Sequence, residues 1–61
     1  MNTIDTLKKT IKLIETNLEN QDLNITFLSN KVFVSSFYLQ RMFYSTIGKT
    51  IGSYIREKKI N

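Results

Sequence analysis

Phe37, Gln40, Arg41 and Tyr44 bring two aromatic rings, an amide and a guanidinium into one short stretch. Stepped at ~100° per residue, as along an α-helix, they fall within roughly 100° of arc. Leu39, Met42, Phe43 and Ile47 fall on the other side, with Thr46 among them. The second side is a core face. The first is an odd surface for a solvated helix and a suitable one for the major groove of DNA. A guanidinium can take the O6 and N7 acceptors of guanine as a fork, a carboxamide can do the same for adenine N6 and N7, and a ring can pack on a thymine methyl. Ser36, in the first turn of such a helix, offers a hydroxyl and an amide to a phosphate at the positive end of the helix dipole.

Plainer accounts exist for each residue. Phe37 can fold back as core, since an exposed Phe without a partner is disfavoured. Arg41 can pair with Glu15 or Glu19 as a surface ion pair contributing ~0–1 kcal/mol. Gln40 can be solvated. Tyr44, two turns in, suits sugar or phosphate as well as a base. Lys49, Thr50 and Ser53 follow at the start of the next helix, where they can hold the duplex backbone without reading sequence. Most of the run Arg56, Lys58 and Lys59 reads as a solvated face.

Four helices are expected to position these groups. Ile4, Leu7, Ile11, Ile14 and Leu18 recur at spacings of three and four, one apolar stripe of an amphipathic helix from about Thr3 to Glu19. Asn17, Asn20, Asp22 and Asn24 interrupt that pattern. Leu23 reads as an entry residue, and Asn24 as the N-cap of a second helix over about Ile25 to Val32. Ser35 is the next N-cap, opening a third helix over about Ser36 to Ile47 that Gly48 ends at the C′ position. Thr50 caps a fourth, which starts at Ile51 and runs into the last residues. A short helix, a tight turn at about Phe33 to Ser35 and a longer helix suggest a helix-turn-helix over about 25–47, against the plainer alternative of an ordinary helical hairpin. Ser29 supplies the small residue such a crossing needs, and Leu28, Val32, Val34, Leu39 and Met42 flank it. The turn position four residues after Ser29 often holds Gly, because φ > 0 is cheap only there. Here it is Phe33, so either the turn is of another type or strain is tolerated.

The composition narrows the function further. With 61 residues the chain allows one small domain, which buries only ~60% of its unfolded surface. It is 41% hydrophobic and 23% charged, with 2 Gly and no Pro, Cys or His. That excludes disulfides, thiol chemistry and the commonest metal ligand and general base. Five carboxylates without a Gly-rich phosphate loop form no catalytic constellation, so no enzyme, cofactor or metal is expected. No apolar run approaches the ~20 residues of a membrane span. The first residues lack the apolar segment of a signal peptide, which fits a cytoplasmic protein. A membrane-surface role is disfavoured too, because the first helix mixes Lys with Glu on its polar face. The net charge of +4 is uneven: residues 1–22 net −1, residues 23–61 net +5. No acid occurs from Leu23 through Arg56, and all seven aromatics lie after residue 26. A basic, aromatic-bearing half is the usual footprint of a polyanion-binding surface, although a solvated surface would carry the same charge.

Ile14-Glu15, Asn17-Leu18, Leu23, Ser35, Tyr38 to Phe43, Gly48-Lys49-Thr50 and Tyr54-Ile55-Arg56 together resemble the AraC/XylS family of bacterial transcription regulators. The likeness covers nearly the whole chain. Its S-x-x-x-L-x-R-x-F…G-x-[ST]-x-x-x-Y-[IL] pattern is far more specific than a generic helix-turn-helix. The resemblance implies an all-α, four-helix helix-turn-helix subdomain of homeodomain-like, AraC type, spanning 1–61. It would be the first of two such units, its fourth helix beginning the linker to the second. It implies that the third helix enters the major groove, with Phe37, Gln40 and Arg41 at the base-reading positions and Thr50 in a phosphate-holding turn. Double-stranded DNA of a promoter or operator is then the expected partner, and a single unit is expected to bind weakly. An alternative expectation is a short AraC-like interaction protein that modulates a full-length relative or RNA polymerase, through the first helix or through surface at Ile60.

Overall fold

A computed structural model of the chain describes residues 3–60. Those residues form four helices and no strand: α1 (Thr3–Thr16), α2 (Ile25–Val32), α3 (Ser36–Ile47) and α4 (Ile51–Ile60). Local chemistry sets most of the boundaries. The Asn24 side chain accepts the Phe27 N–H at 2.8 Å and starts α2. The Ser35 hydroxyl accepts the Tyr38 N–H at 3.1 Å and starts α3. The Thr50 hydroxyl accepts the Ser53 N–H at 3.1 Å and starts α4. Each satisfies an amide that the first turn of a helix leaves without a carbonyl. Gly48 ends α3 at φ 84°, its N–H donating to the Tyr44 carbonyl at 2.9 Å.

The turn between α2 and α3 keeps the left-handed residue that such turns use, but places Phe there. Phe33 has φ 61° and ψ 40°, and its N–H and that of Val34 both donate to the Ser29 carbonyl. Of the two accounts the sequence allows, tolerated strain is the one realised. Ser29 is buried at the crossing, and its hydroxyl donates to the Thr26 carbonyl at 3.1 Å. A side chain this small, with its hydroxyl satisfied, lets the two helices approach closely.

The core joins all four helices through Leu7 and Ile14 of α1, Leu28 and Val32 of α2, Leu39, Met42 and Phe43 of α3, and Ile51 and Ile55 of α4, with Leu23 entering from the loop. Phe43 and Tyr54 meet edge to face, ring centroids 5.4 Å apart, and tie α3 to α4.

Two expectations for α1 are corrected. The helix ends at Thr16, not Glu19. Its last carbonyls are taken by side chains and tight turns: the Thr16 hydroxyl donates to the Lys12 carbonyl at 2.9 Å, the Asn17 amide to that of Leu13 at 2.8 Å, and the Asn17 N–H to that of Ile14 at 3.2 Å. Such local bonds compete with helix continuation. Nor does the apolar stripe alone make the buried face, although Ile11 and Leu18 of that stripe pack against the core. Thr6, Leu7, Thr10 and Ile14 are buried, whereas Ile4 is 62% exposed. The buried face is turned by roughly 60° from the stripe. Thr10 reaches zero exposure because its hydroxyl donates to the Thr6 carbonyl at 2.8 Å, which removes the penalty of burying it.

Candidate nucleic-acid interface

Because Leu39, Met42 and Phe43 are held in the core, the opposite side of α3 faces outward. Phe37 is 68% and Tyr44 60% exposed, and Gln40 and Arg41 are exposed between them. Gln40, Arg41 and Tyr44 share one shallow hollow with Thr50, so the start of α4 borders the outer face of α3. Phe37 does not fold back into the core. Arg41 makes no ion pair with Glu15 or Glu19; its guanidinium lies over the Phe37 ring, 5.4 Å from the centroid. Among the described residues, neither the Gln40 amide nor the Arg41 guanidinium has a hydrogen-bonding side-chain partner. Both keep their donors for a ligand.

Three other residues singled out from sequence have internal partners. The Ser36 hydroxyl sits 3.1 Å from the Ser29 hydroxyl, half-buried against α2. The Thr50 oxygen accepts the Ser53 N–H and retains its own proton for donation. The Lys49 ammonium is paired with Glu57, Nζ to Oε2 2.5 Å, with both side chains about half exposed. A phosphate reaching Lys49 would compete with that carboxylate.

The outward arc of α3 is also wider than four residues. Tyr38, 47% exposed, and Ser45 extend it on the side of α1, where they line a second hollow with Thr3, Phe37 and Arg41. Arg41 therefore stands between two hollows. On the other flank, Arg56 and Lys59 line a groove with Gln40 over the buried side chains of Leu23, Ile51 and Ile55. The sequence held signals for these residues. Tyr38 and Ser45 fall at ~100° and ~80° on the helical projection from Phe37, roughly 40–60° beyond Arg41 at the end of the arc. Arg56 and Lys59 share one side of α4 at a spacing of three.

The field over this surface is positive, since Glu57 is the one carboxylate between Leu23 and Ile60 and it is occupied by Lys49. No helix among the described residues is long and apolar enough to cross a membrane.

Comparison with known proteins places the sequence beside bacterial regulators. Over 41 residues, 67% of this chain, it is 42% identical to the regulatory protein SoxS of Escherichia coli K12. The same identity and coverage hold for SoxS of Salmonella typhimurium LT2. The matched stretch spans 38% of the length of these relatives. No family model matches the chain, and no solved structure matches it. The likeness to SoxS supports the AraC/XylS resemblance read from the sequence.

Proposed function

We propose that this chain is a DNA-binding unit of an AraC/XylS-type transcription regulator, α2 and α3 forming a helix-turn-helix whose second helix enters the major groove. Phe37, Gln40 and Arg41 face the bases. Ser36, Tyr44, Thr50 and Ser53 hold the backbone, and Lys49 joins them where a phosphate displaces Glu57. The observation that carries this reading is the outward arc of α3, where an amide and a guanidinium without a hydrogen-bond partner stand beside two exposed rings on a surface free of unpaired carboxylates. The similarity to the regulatory protein SoxS supports it.

A single module of this kind buries ~600–1,000 Å² on DNA, and each good base contact discriminates by ~1–3 kcal/mol. Two or three contacts place the chain at the weak end of specific binders. Engagement of about three or four phosphates gives a slope of log K against log salt of about −3 to −4. The dissociation constant at physiological salt is then nearer micromolar than nanomolar.

A second reading rests on the exposed apolar side chains of Ile4 on α1 and Ile60 on α4, which would serve a protein that contacts a full-length relative or RNA polymerase. The double substitution Gln40→Ala with Arg41→Ala separates the two. Both side chains are exposed, so circular dichroism should show an unchanged fold. Fluorescence anisotropy on duplex DNA should show affinity and sequence preference lost. Preserved DNA binding by the double variant would remove the major-groove reading, and unchanged activity in a partner assay would favour the second.

A further inference from the structure

We propose that Phe37 acts on DNA chiefly through Arg41: its ring is a platform that holds the guanidinium in the orientation from which the fork reads a guanine. This rests on the major-groove reading above and changes the role of Phe37 within it, from an independent contact to a positioning residue.

The geometry has three parts. The guanidinium carbon of Arg41 lies 5.4 Å from the centroid of the Phe37 ring, one turn away on the same helix face. A cation at that distance over an aromatic face is attracted by the ring quadrupole. No carboxylate, carbonyl or hydroxyl among the described residues engages the Arg41 side chain. The ring is thus the group that restrains it. Finally, Phe37 is 68% exposed, so burial in this chain is not what retains an aromatic there.

A guanidinium held by a ring differs from one held by a carboxylate. A carboxylate would consume the N–H donors that guanine O6 and N7 require. The face of a ring leaves all five donors at the guanidinium edge free while removing rotamer freedom from a long side chain. Rotamer freedom lost before binding is not lost again on binding, so preorganisation raises affinity and selectivity without a new contact. An exposed cation–π contact of ordinary strength corresponds to about a two- to fivefold effect.

The test has an arm without DNA and an arm with it. In the free protein, NMR should find the Arg41 side-chain methylene protons shifted upfield by the Phe37 ring. That shift should vanish in Phe37→Leu and persist in Phe37→Trp. Its absence from the unsubstituted protein overturns the proposal and leaves the major-groove reading standing. Selection from a randomised duplex pool then identifies the column whose guanine preference disappears with Arg41→Ala. On the selected duplex, Phe37→Leu should reduce affinity and discrimination for that guanine about two- to fivefold in the presence of Arg41, and leave affinity unchanged in the Arg41→Ala background, where that discrimination is already absent. Phe37→Trp should restore both where Arg41 is present. An equal loss of affinity in both backgrounds, or loss of a thymine preference at another column with the guanine column intact, makes Phe37 an independent contact and overturns the proposal. Should Arg41→Ala alter no column, the major-groove reading itself fails, with the platform role, whatever the NMR arm shows.

Discussion

At position 33 a phenylalanine holds φ 61° with its side chain 85% exposed. A left-handed conformation costs an L-residue roughly 1–2 kcal/mol, and the exposed ring recovers little of that through burial. The turn is held nevertheless, because the Ser29 carbonyl accepts two amides across it and Ser35 caps the helix that follows. Phe33→Gly removes the steric term and adds unfolded-state entropy of about 0.5–1 kcal/mol, for a net stabilisation of about 0.5–1 kcal/mol. In a chain of this size that raises Tm by roughly 2–8 °C. Phe33→Ala keeps a Cβ at positive φ and should give no comparable gain in thermal melts. Equal gains from both would assign the effect to the exposed ring and not to the backbone. The same turn shows what type and spacing can and cannot disclose. The absent Gly was visible in the sequence, but a turn of another type and the same turn under strain write the same letters. Ser36 is similar: its place in the first turn of α3 was legible, whereas the inward direction of its hydroxyl depends on Ser29 across the crossing.

The elements divide by how local their causes are. α2, α3 and the start of α4 were legible because each is opened by a side chain that caps its own first turn, at Asn24, Ser35 and Thr50. α1 was read less well, since its end depends on Thr16 and Asn17 taking carbonyls from behind and its buried face on what the other helices present. Hydrophobic periodicity assumes that apolar residues define the inner face. Here two threonines, Thr6 and Thr10, sit within it and turn the stripe partly outward. The consequence is measurable by paired substitutions. Ile14→Ala, at a position with no exposure, should cost about 2–5 kcal/mol. That is a large part of the total for a chain of this length, roughly 3–9 kcal/mol at ordinary stabilities per residue. Ile4→Ser, on the same apolar stripe but 62% exposed, should fall within about 0.5 kcal/mol of the unsubstituted protein. Urea titrations of both variants check this, and a cost of several kcal/mol for Ile4→Ser would return α1 to the orientation its periodicity suggests. The candidate site was legible for a related reason. A strong core face on α3, formed by Leu39, Met42 and Phe43, leaves one direction for Phe37, Gln40, Arg41 and Tyr44. Its wider borders at Tyr38, Ser45, Arg56 and Lys59 left only weak signals in the sequence, because their part in it depends on how α1 and α4 pack beside α3.

Across the whole molecule charge is segregated, with residues 1–22 netting −1 and residues 23–61 netting +5. Net charge alone steers a partner without defining one, so the informative quantity is how many cations are free to meet phosphates. Lys49 is not free: it directly precedes the Thr50 cap that borders the outer face of α3, and the Glu57 carboxylate holds it at 2.5 Å. Two effects oppose each other there. The pair contributes about 0–1 kcal/mol to stability, being half exposed. In the proposed DNA complex it would mask one cation and add one fixed negative charge beside the duplex. Glu57→Gln should therefore leave the melting temperature nearly unchanged while tightening DNA binding at low salt. If Lys49 then meets a phosphate, the dependence of log K on log salt should steepen by about 1, from about −3 to −4 towards about −4 to −5. Lys49→Gln in the unsubstituted background should move the slope little, because that cation is already neutralised by Glu57. Combined with Glu57→Gln, the same change should return the slope to its starting value. Anisotropy titrations across a salt series measure all four proteins. A Glu57→Gln slope equal to that of the unsubstituted chain would place Lys49 outside the phosphate contacts and leave the backbone to Ser36, Tyr44, Thr50 and Ser53.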